Sequence, residues 1–385
     1  MSDAPSSSHS VDPSTGERPR EETADDSRQP GPDGAHALTE DQPTVISRRP
    51  PLPVVPATEP AKPARPSDLP PGGRLGHFEL LEYVGGGGMG RVYRAVDTRL
   101  GRTVALKILS REQATNAETL MRFRNEARSA ARLNHEGIAR VFYLGEDDGL
   151  PYIAFEFIEG INVRKLVMQR GMLPLAEALS YTLQVSEALT HAAACNVVHR
   201  DVKPSNILIT SDGQAKLIDM GLARMRKLSM SSSDLTASGV TLGTFDYISP
   251  EQARDPRIAD IRSDIYSLGC TLFHMLAGRP PFPEGTVLQK LLQHQETEPP
   301  DIRELRPELP EEVSRLLWKM MAKEPRRRFQ DSSKLTEALL ALADQIGLRP
   351  IGQGHTVWTA GEESKISLLR RHVPWIVPVA AMVGA

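Results

Sequence analysis

Two polar motifs follow apolar runs in the C-terminal half of the sequence. The run VVHRDVKPSNILI contains Asp201, Lys203 and Asn206, and AKLIDMGLAR ends a predicted strand at Asp219. Asn206 and Asp219 would both present oxygen atoms at strand ends, and Mg²⁺ prefers oxygen ligands. The pair therefore predicts a shared Mg²⁺ site. Taken singly, His-Arg-Asp also fits a capped surface turn, and Asp219 fits a strand-end turn residue.

A lysine and a glutamate form a second candidate pair. Alternation in the predicted strand TVALKIL places Lys107 on the face opposite the core positions. In the predicted helix AETLMRFRNEARSAARLN, Glu126 falls on the inward apolar stripe. A buried carboxylate needs a cation, so we expect Glu126 to pair with Lys107. The alternatives are a solvated strand lysine and a glutamate that faces water.

The stretch VGGGGMGRVY raises a choice between slack linker and a loop that lets the backbone approach a ligand. Gly85, Gly87 and Gly90 fit the pattern G-x-G-x-x-G, and Val92 extends it to G-x-G-x-x-G-x-V. A dinucleotide site needs a helix after the glycines, whereas RVYRAV predicts a strand. We therefore expect a hairpin flap suited to phosphate groups.

The elements that must position these residues form two groups. Strands are predicted over 78–84, 91–96 and 102–109, followed by the glutamate-bearing helix. Further along, PLAEALSYTLQVSEALTHAAA predicts a helix with a core stripe, and SDIYSLGCTLFHMLAGRPPF predicts a buried helix that starts at Asp264. Residues 75 to about 345 can form a substantial core in two lobes.

The ordered set of motifs resembles the eukaryotic-like protein kinases, and most closely the membrane-linked Ser/Thr kinases of bacteria. The resemblance implies a kinase domain over 78–344 with an α+β bilobal fold, in which the N-lobe is β-rich and the C-lobe mainly helical. It also implies transfer of the γ-phosphate of ATP to Ser/Thr hydroxyls of proteins, with Mg²⁺, or Mn²⁺ in its place.

The resemblance also assigns roles to particular residues. Asp201 would accept the proton of the attacking hydroxyl, Lys203 would stabilise the transferring phosphoryl group, and Lys107 would hold phosphates while paired with Glu126. Phe155 would be the gatekeeper residue beside the adenine. The positions assigned to ATP are Val84, Gly85, Gly87, Gly90, Val92, Ala105, Lys107, Glu156, Ile158 and Leu208.

The segment after Asp219 would be the activation segment. The resemblance makes Thr236, Ser238 and Thr241 candidate phosphosites, although a mobile polar loop is the simpler reading of its serine run. Two residues depart from the common pattern. Met220 replaces the usual Phe, and Ser205 stands where arginine-directed kinases often have Glu, so we predict no basic consensus upstream of the target.

Three further positions take supporting roles by resemblance. Asp264 would brace the catalytic loop backbone. Arg328 would pair with Glu251 of the Ser-Pro-Glu motif, in which Ser249 replaces the more common Ala. His199 is expected to be a core residue, and Arg326 and Arg327 a solvated basic face.

Composition bounds the rest of the chain. The 385 residues carry a net charge of -3, which gives no global reason to expect nucleic acid. Two cysteines form no disulfide framework, so we expect a reducing compartment. Residues 1–74 hold 15 of the 31 prolines and no Phe, Trp or Tyr, which predicts disorder. The stretch RRPPLPVVP fits a linker better than a polyproline ligand.

The C-terminal end suggests a membrane anchor. We expect a juxtamembrane linker over 345–372 and the start of a truncated transmembrane helix over 373–385. These 13 apolar residues would span about 20 Å, which is short of a bilayer core, and they follow Arg370 and Arg371. Basic residues there would keep the kinase domain cytoplasmic. A frayed apolar tail is the alternative, and a homodimer is suggested by resemblance only.

Two other functions compete with an active Ser/Thr kinase. A pseudokinase scaffold would be favoured by loss of Lys107, Asp201, Asn206 or Asp219, and all four are present. A small-molecule phosphotransferase fits less well, because the activation segment is long and contains Gly243-Thr244 and Ser-Pro-Glu.

Overall fold

The computed structural model describes residues 72–87, 90–219, 245–351 and 357–360. Its strands are β1 (Arg74–Leu75), β2 (Phe78–Gly87), β3 (Gly90–Asp97), β4 (Arg102–Ile108), β5 (Val141–Asp147), β6 (Leu150–Glu156), β7 (Gly160–Asn162), β8 (Ile207–Thr210), β9 (Ala215–Leu217), β10 (Leu348–Ile351) and β11 (Val357–Ala360). Its helices are α1 (Arg111–Ala114), α2 (Ala117–Ala130), α3 (Val163–Arg170), α4 (Leu175–Ala194), α5 (Pro250–Arg254), α6 (Ile261–Ala277), α7 (Val287–Glu296), α8 (Ile302–Leu305), α9 (Glu311–Met320) and α10 (Ser332–Gln345).

The N-lobe is an antiparallel sheet with the strand order β1-β2-β3-β4-β6-β5. The alternation predicted for β4 is present, because Val104, Leu106 and Ile108 are buried in one core with Phe78. Helix α2 starts at the N-cap Asn116, whose side chain accepts the backbone N–H of Thr119. Its inner face buries Phe123, Ala127 and Ala130.

The C-lobe is mainly helical, so the α+β bilobal prediction is confirmed. Helices α4 and α6 pack together, and their inward faces belong to a second, larger core. The small antiparallel sheet β7-β8-β9 lies beside them. Helix α6 begins at Ile261 behind the N-cap Asp260, so the predicted start at Asp264 was three residues late.

The two lobes are joined through the backbone as well as through the chain connection. Ala139 N donates to Leu217 O at 2.9 Å, and Leu217 N donates to Gly137 O at 2.8 Å. Strand β9, which leads to Asp219, is therefore held against the segment between α2 and β5. This contact fixes Asp219 relative to the N-lobe residues Lys107 and Glu126.

Two predicted boundaries need correction. Residues 72–74, assigned to the disordered region, are paired, since Gly72 N donates to Leu80 O and Leu80 N donates to Gly73 O. The predicted linker 345–372 contains the antiparallel pair β10–β11, which lies against α10 and α4. The remaining predictions for 1–71 and 361–385 fall outside the described residues. Within the described ranges, no helix is both long and apolar enough to cross a membrane.

Candidate active site

Lys107 in β4 holds its ammonium group between two carboxylates. Its Nζ lies 2.6 Å from Glu126 Oε1 and 2.9 Å from Asp219 Oδ1. Glu126 is 1% exposed, so the predicted inward orientation and the predicted Lys107–Glu126 contact are both present. The contact with Asp219 joins residues 112 positions apart and was not predicted.

The three charges set each other's protonation. Burial alone would lower the pKa of Lys107, but the carboxylates of Asp219 and Glu126 outweigh it and raise the pKa above its ordinary value. Burial would raise the pKa of Asp219, yet Lys107, with help from Lys203, holds it below its ordinary value. Lys107 and Asp219 are therefore charged at neutral pH, and a charged ammonium can bind a phosphate oxygen.

Asp201, Lys203 and Asn206 meet in the loop before β8. Asp201 Oδ2 accepts hydrogen bonds from Lys203 Nζ at 2.6 Å and from Asn206 Nδ2 at 3.0 Å. Asn206 Nδ2 also donates to the backbone carbonyl of Asp201 at 3.0 Å. A short 3-10 turn, Pro204–Asn206, brings Asn206 back towards Asp201. The loop thus presents a carboxylate beside an ammonium group.

His199 connects this loop to the backbone that precedes Asp219. Its Nε2 lies 3.2 Å from Ile218 O, and its Nδ1 accepts the backbone N–H of Asp201 at 3.3 Å. A carbonyl can only accept, so Nε2 carries the ring hydrogen. Burial lowers the pKa of His199, which favours this neutral form. His199 is fully buried, as the expected core residue is, and it fixes the distance between loop and strand.

A second contact ties the candidate metal ligands together. Ile218 N donates to Asn206 O at 3.0 Å, so the residue before Asp219 is bonded to the backbone of Asn206. The two predicted oxygen ligands therefore belong to adjacent, hydrogen-bonded segments.

Asp264 supports the same loop from α6. Its carboxylate accepts the backbone N–H groups of His199 at 2.8 Å and Arg200 at 2.7 Å. Burial raises the pKa of Asp264 to about 7, although these two hydrogen bonds and the charge of Arg200 oppose the shift. The bracing contact expected from the resemblance is present.

The glycine stretch is a strand hairpin rather than slack chain. Gly85 pairs with Val92, and Gly87 pairs with Gly90. Gly90 has a φ of 128°, and a Cβ there would lie 2.3 Å from Ile108 O, so the fold itself requires glycine. A Cβ at Gly85 would meet nothing within 4 Å, so packing does not explain glycine at that position.

The positions assigned to the adenine come from strands of both lobes. Val92, Ala105 and Leu208 are half-buried in β3, β4 and β8, and Val84 is exposed. Strand β6 ends at Glu156 and β7 begins at Gly160, so the backbone of residues 157–159 lies outside both ladders.

The walls of this region are well anchored. Phe155 is 9% exposed and belongs to the larger core together with Leu109, Phe123 and Ile153. The Glu156 carboxylate accepts a hydrogen bond from Lys216 Nζ at 2.6 Å. The end of β6 is therefore held both by apolar packing and by an ion pair with the strand that leads to Asp219.

The chain after the activation segment is anchored by a buried ion pair. Arg328 donates to both carboxylate oxygens of Glu251, at 2.7 and 2.8 Å, and the Arg328 side chain is fully buried. The predicted pairing is present, and Arg326 and Arg327 are 80% and 71% exposed, as expected. Met220, Thr236, Ser238 and Thr241 lie outside the described residues.

Besides the Lys107–Asp219 contact, sequence reasoning missed two contacts near this ion pair. Gln252 Nε2 donates to Arg200 O at 3.0 Å, next to Asp201. Lys290 Nζ in α7 lies 2.5 Å from Asp246 Oδ1, and both residues are buried. The Ser-x-x-Gln spacing signals that Gln252 belongs to a capping box but not that it bonds to Arg200. Nothing local in the sequence pairs Lys290 with Asp246.

The geometry agrees with comparison to known proteins. The family model described as "Protein kinase domain" matches residues 78–340 of this chain. This chain belongs to the protein kinase family. It is 34% identical over 336 residues to "Serine/threonine-protein kinase PrkC" of Bacillus subtilis, covering 80% of this chain and 51% of that protein. It is 36% identical over 267 residues to "Serine/threonine-protein kinase PknB" of Mycolicibacterium smegmatis, covering 68% of this chain and 42% of that protein.

A solved structure shares the kinase fold. The crystal structure of the Mycobacterium tuberculosis PknI kinase domain aligns with a TM-score of 0.56 at 29% identity, covering 71% of this chain and 99% of that one. The curated relatives are bacterial Ser/Thr kinases of which this chain spans about half or less. Similarity is therefore shown for the kinase domain.

Proposed function

We propose that this domain transfers the γ-phosphoryl group of ATP to Ser and Thr hydroxyls of proteins. One observation supports this most strongly: the Glu126–Lys107–Asp219 ion cluster and the Asp201–Lys203–Asn206 loop are bonded together through Ile218. Phosphoryl transfer depends mainly on positioning and charge stabilisation, which such an arrangement of fixed charges can supply. The bacterial relatives, which are named as serine/threonine-protein kinases, support Ser and Thr as acceptors.

The proposal assigns the nucleotide to the region between the lobes. Lys107, held charged by its two carboxylate partners, binds the α- and β-phosphates. The backbone of the β2–β3 hairpin at Gly85, Gly87 and Gly90 covers the phosphates. Val84, Val92, Ala105 and Leu208 enclose the base, and the backbones of Glu156 and Ile158 bind its edge.

Asp201 accepts the proton of the attacking hydroxyl in this proposal, and Lys203 stabilises the transferring phosphoryl group. The 2.6 Å contact between them supports this division, because it sets an ammonium group beside the Asp201 carboxylate and places positive charge where phosphate oxygens would lie. Lys203 at this position also favours a Ser/Thr kinase over a tyrosine kinase.

Asn206 and Asp219 fit a divalent cation. Both supply the oxygen donors that Mg²⁺ takes, with Mn²⁺ as a substitute. Within the described ranges, no three His, Cys, Asp or Glu residues are grouped to hold a metal by themselves. A two-ligand protein site suits Mg²⁺, which retains waters and binds substrate phosphates. The ion, when bound, supplies charge that neutralises the phosphates.

The regulatory and cellular parts of the proposal rest on sequence alone. We propose autophosphorylation at Thr236, Ser238 or Thr241, within signal transduction and aided by a homodimer. We also propose that 373–385 begins a membrane anchor that leaves the kinase domain in the cytoplasm. A protein substrate is expected, and nucleic acid is not.

Incubation of the 385-residue chain with ATP, Mg²⁺ and a generic protein substrate tests the activity. Wild type should phosphorylate Ser and Thr, Asp201→Asn should be inactive, and Asp344→Asn, an exposed residue of α10, should match wild type. Nucleotide binding without phosphate transfer would support the scaffold alternative. Transfer to small molecules but not to protein would support the small-molecule phosphotransferase.

A further inference from the structure

The peptide unit that carries Asp201 is held at both of its polar atoms. Its carbonyl, Arg200 O, accepts a hydrogen bond from Gln252 Nε2 at 3.0 Å. Its N–H, which belongs to Asp201, donates to His199 Nδ1 at 3.3 Å. A peptide unit is planar, so fixing both groups fixes the direction in which the Asp201 Cα leaves the loop.

This loop needs outside support because its backbone is strained. Arg200 has a φ of 66°, a left-handed conformation that is unfavourable for a residue other than glycine. Asp264 holds the amino side of the turn through the N–H groups of His199 and Arg200. Gln252 holds the carboxyl side, which is the side that leads directly to Asp201.

Ser249 orients the Gln252 side chain. Gln252 Oε1 accepts from Ser249 Oγ at 2.9 Å and from Ser249 N at 3.3 Å, in a capping box at the start of α5. Since Oε1 faces these donors, Nε2 faces the Arg200 carbonyl, which can only accept. Gln252 is 5% exposed and Ser249 is fully buried. The common pattern has Ala at position 249. The Ser249 hydroxyl therefore adds a contact with Gln252 that Ala could not make.

Two other capping boxes among the described residues show what the motif does by itself. Thr286 and Gln289 form the same motif at the start of α7, where Gln289 is exposed. Ser110 and Gln113 form it at the start of α1 in the N-lobe. Capping thus explains the Ser-x-x-Gln spacing, but the bond from the Gln252 amide to the catalytic loop is additional to capping.

The helix that carries Gln252 is itself held in place. The preceding residue, Glu251, is bonded to buried Arg328 and accepts a hydrogen bond from Ser263 Oγ at 2.6 Å. Gln252 is therefore presented from a fixed support rather than from a mobile loop. A fixed donor can hold the Arg200 carbonyl with little variation in position.

We infer that Gln252, oriented by Ser249, is a positioning residue for Asp201. It holds the Arg200–Asp201 peptide so that the carboxylate points towards the attacking hydroxyl. This inference rests on the proposed role of Asp201 and adds a residue that the Ser-Pro-Glu motif does not include. It predicts a defect in turnover that depends on a hydrogen at the Nε2 position.

The test compares Gln252→Glu, Gln252→Met and the matched control Gln289→Glu with wild type. Initial rates are measured on the full chain at saturating Mg²⁺, ATP and protein substrate, at several pH values from about 6 to about 8.5, where a buried carboxyl with a raised pKa can titrate. Each rate is divided by the wild-type rate at the same pH, which cancels the titration of groups that both proteins share, such as ATP, His199 and Asp264. The KM for ATP and the melting temperature are measured on the same samples.

Gln252→Met should lower kcat about ten-fold or more at every pH, with little change in the KM for ATP. Gln252→Glu should be equally slow at about pH 8.5, because two acceptor oxygens would face each other. Its relative rate should recover several-fold at about pH 6, since a protonated carboxyl can donate to Arg200 O. A merely structural role would not give this recovery. Gln289→Glu should stay within about two-fold of wild type, as surface changes do.

A Gln252→Met kcat within about two-fold of wild type, or a flat pH ratio for Gln252→Glu, would overturn the inference. Should a Gln252 variant fail to fold, Ser249→Ala replaces it, and an unchanged kcat in that variant counts against the inference equally. Loss of turnover in Asp201→Asn with full turnover in the Gln252 variants refutes the inference alone. Full turnover in Asp201→Asn refutes the proposed role of Asp201 and the inference with it.

Discussion

Replacing Arg328 by Met tests how strongly the buried ion pair stabilises the C-lobe. The Arg328 side chain is fully buried and donates to both oxygens of Glu251. It also donates to three backbone carbonyls, those of Arg262 at 2.8 Å, Ala322 at 2.7 Å and Lys323 at 3.1 Å. The variant would leave a buried carboxylate and three carbonyl groups without this donor.

Breaking a buried pair by removing one partner costs about 3–5 kcal/mol, because the other charge stays buried. A domain of this size loses roughly 2–4 °C of melting temperature for each kcal/mol. We therefore expect Arg328→Met to melt roughly 6–20 °C below wild type. Thermal unfolding followed by circular dichroism measures the shift.

Arg326→Met is the matched control, because the same substitution two residues earlier removes a guanidinium that is 80% exposed. It should leave the melting temperature close to that of wild type, because an ion pair exposed to water stabilises a fold very little. The double variant Arg328→Met/Glu251→Met should lose less stability than the two single variants lose when their losses are added, because it removes both charges. A melting temperature for Arg328→Met equal to that of Arg326→Met would refute the reasoning.

Three further outcomes are expected. Lys107→Met should lower kcat by about 100-fold or more and should lower ATP affinity by less, because the lysine charge acts most in the transition state. Turnover and nucleotide-binding assays measure the two effects, and equal losses in both would contradict the proposed role. Gly90→Ala should lower the melting temperature, because its Cβ would lie 2.3 Å from Ile108 O, whereas Gly85→Ala should leave it unchanged. Burial lowers the pKa of His274 to about 4, so its ring is neutral in the fold. Stability present above pH ~6.5 should therefore be lost as the pH falls towards 4, by up to about 3 kcal/mol. Unfolding of wild type and His274→Gln across this range measures it, and equal pH dependence in both would count against it.

Local patterns were sufficient to predict which residues face inwards. The helical period of α2 placed Glu126 on the buried face, and strand alternation placed Lys107 opposite the core, so their contact followed from charge pairing. The same patterns could not predict that Asp219 would share Lys107, because that contact depends on how β9 packs against the segment before β5.

Other misses came from weak local signals. The sequence predicts a linker where the structure has the strand pair β10–β11. The strand pattern is weak there, because each strand has four residues and β10 contains Pro350. The run of glycines concealed the continuation of β2 to Gly87, since glycine has low strand propensity and pairing with β3 determines the outcome. The bond between Gln252 and Arg200 joins segments 52 residues apart and could not be read from spacing.

The burial of Phe155 has a consequence for inhibitor chemistry. In the proposed site Phe155 would stand behind the adenine, and its ring packs into the larger core, so a bulky substituent that extends past the base would meet packed side chains. Compounds that depend on a small residue at this position would have to displace an aromatic ring with only 9% exposure. If the nucleotide binds as proposed, selective ligands would better extend along residues 157–159, of which Glu159 is exposed.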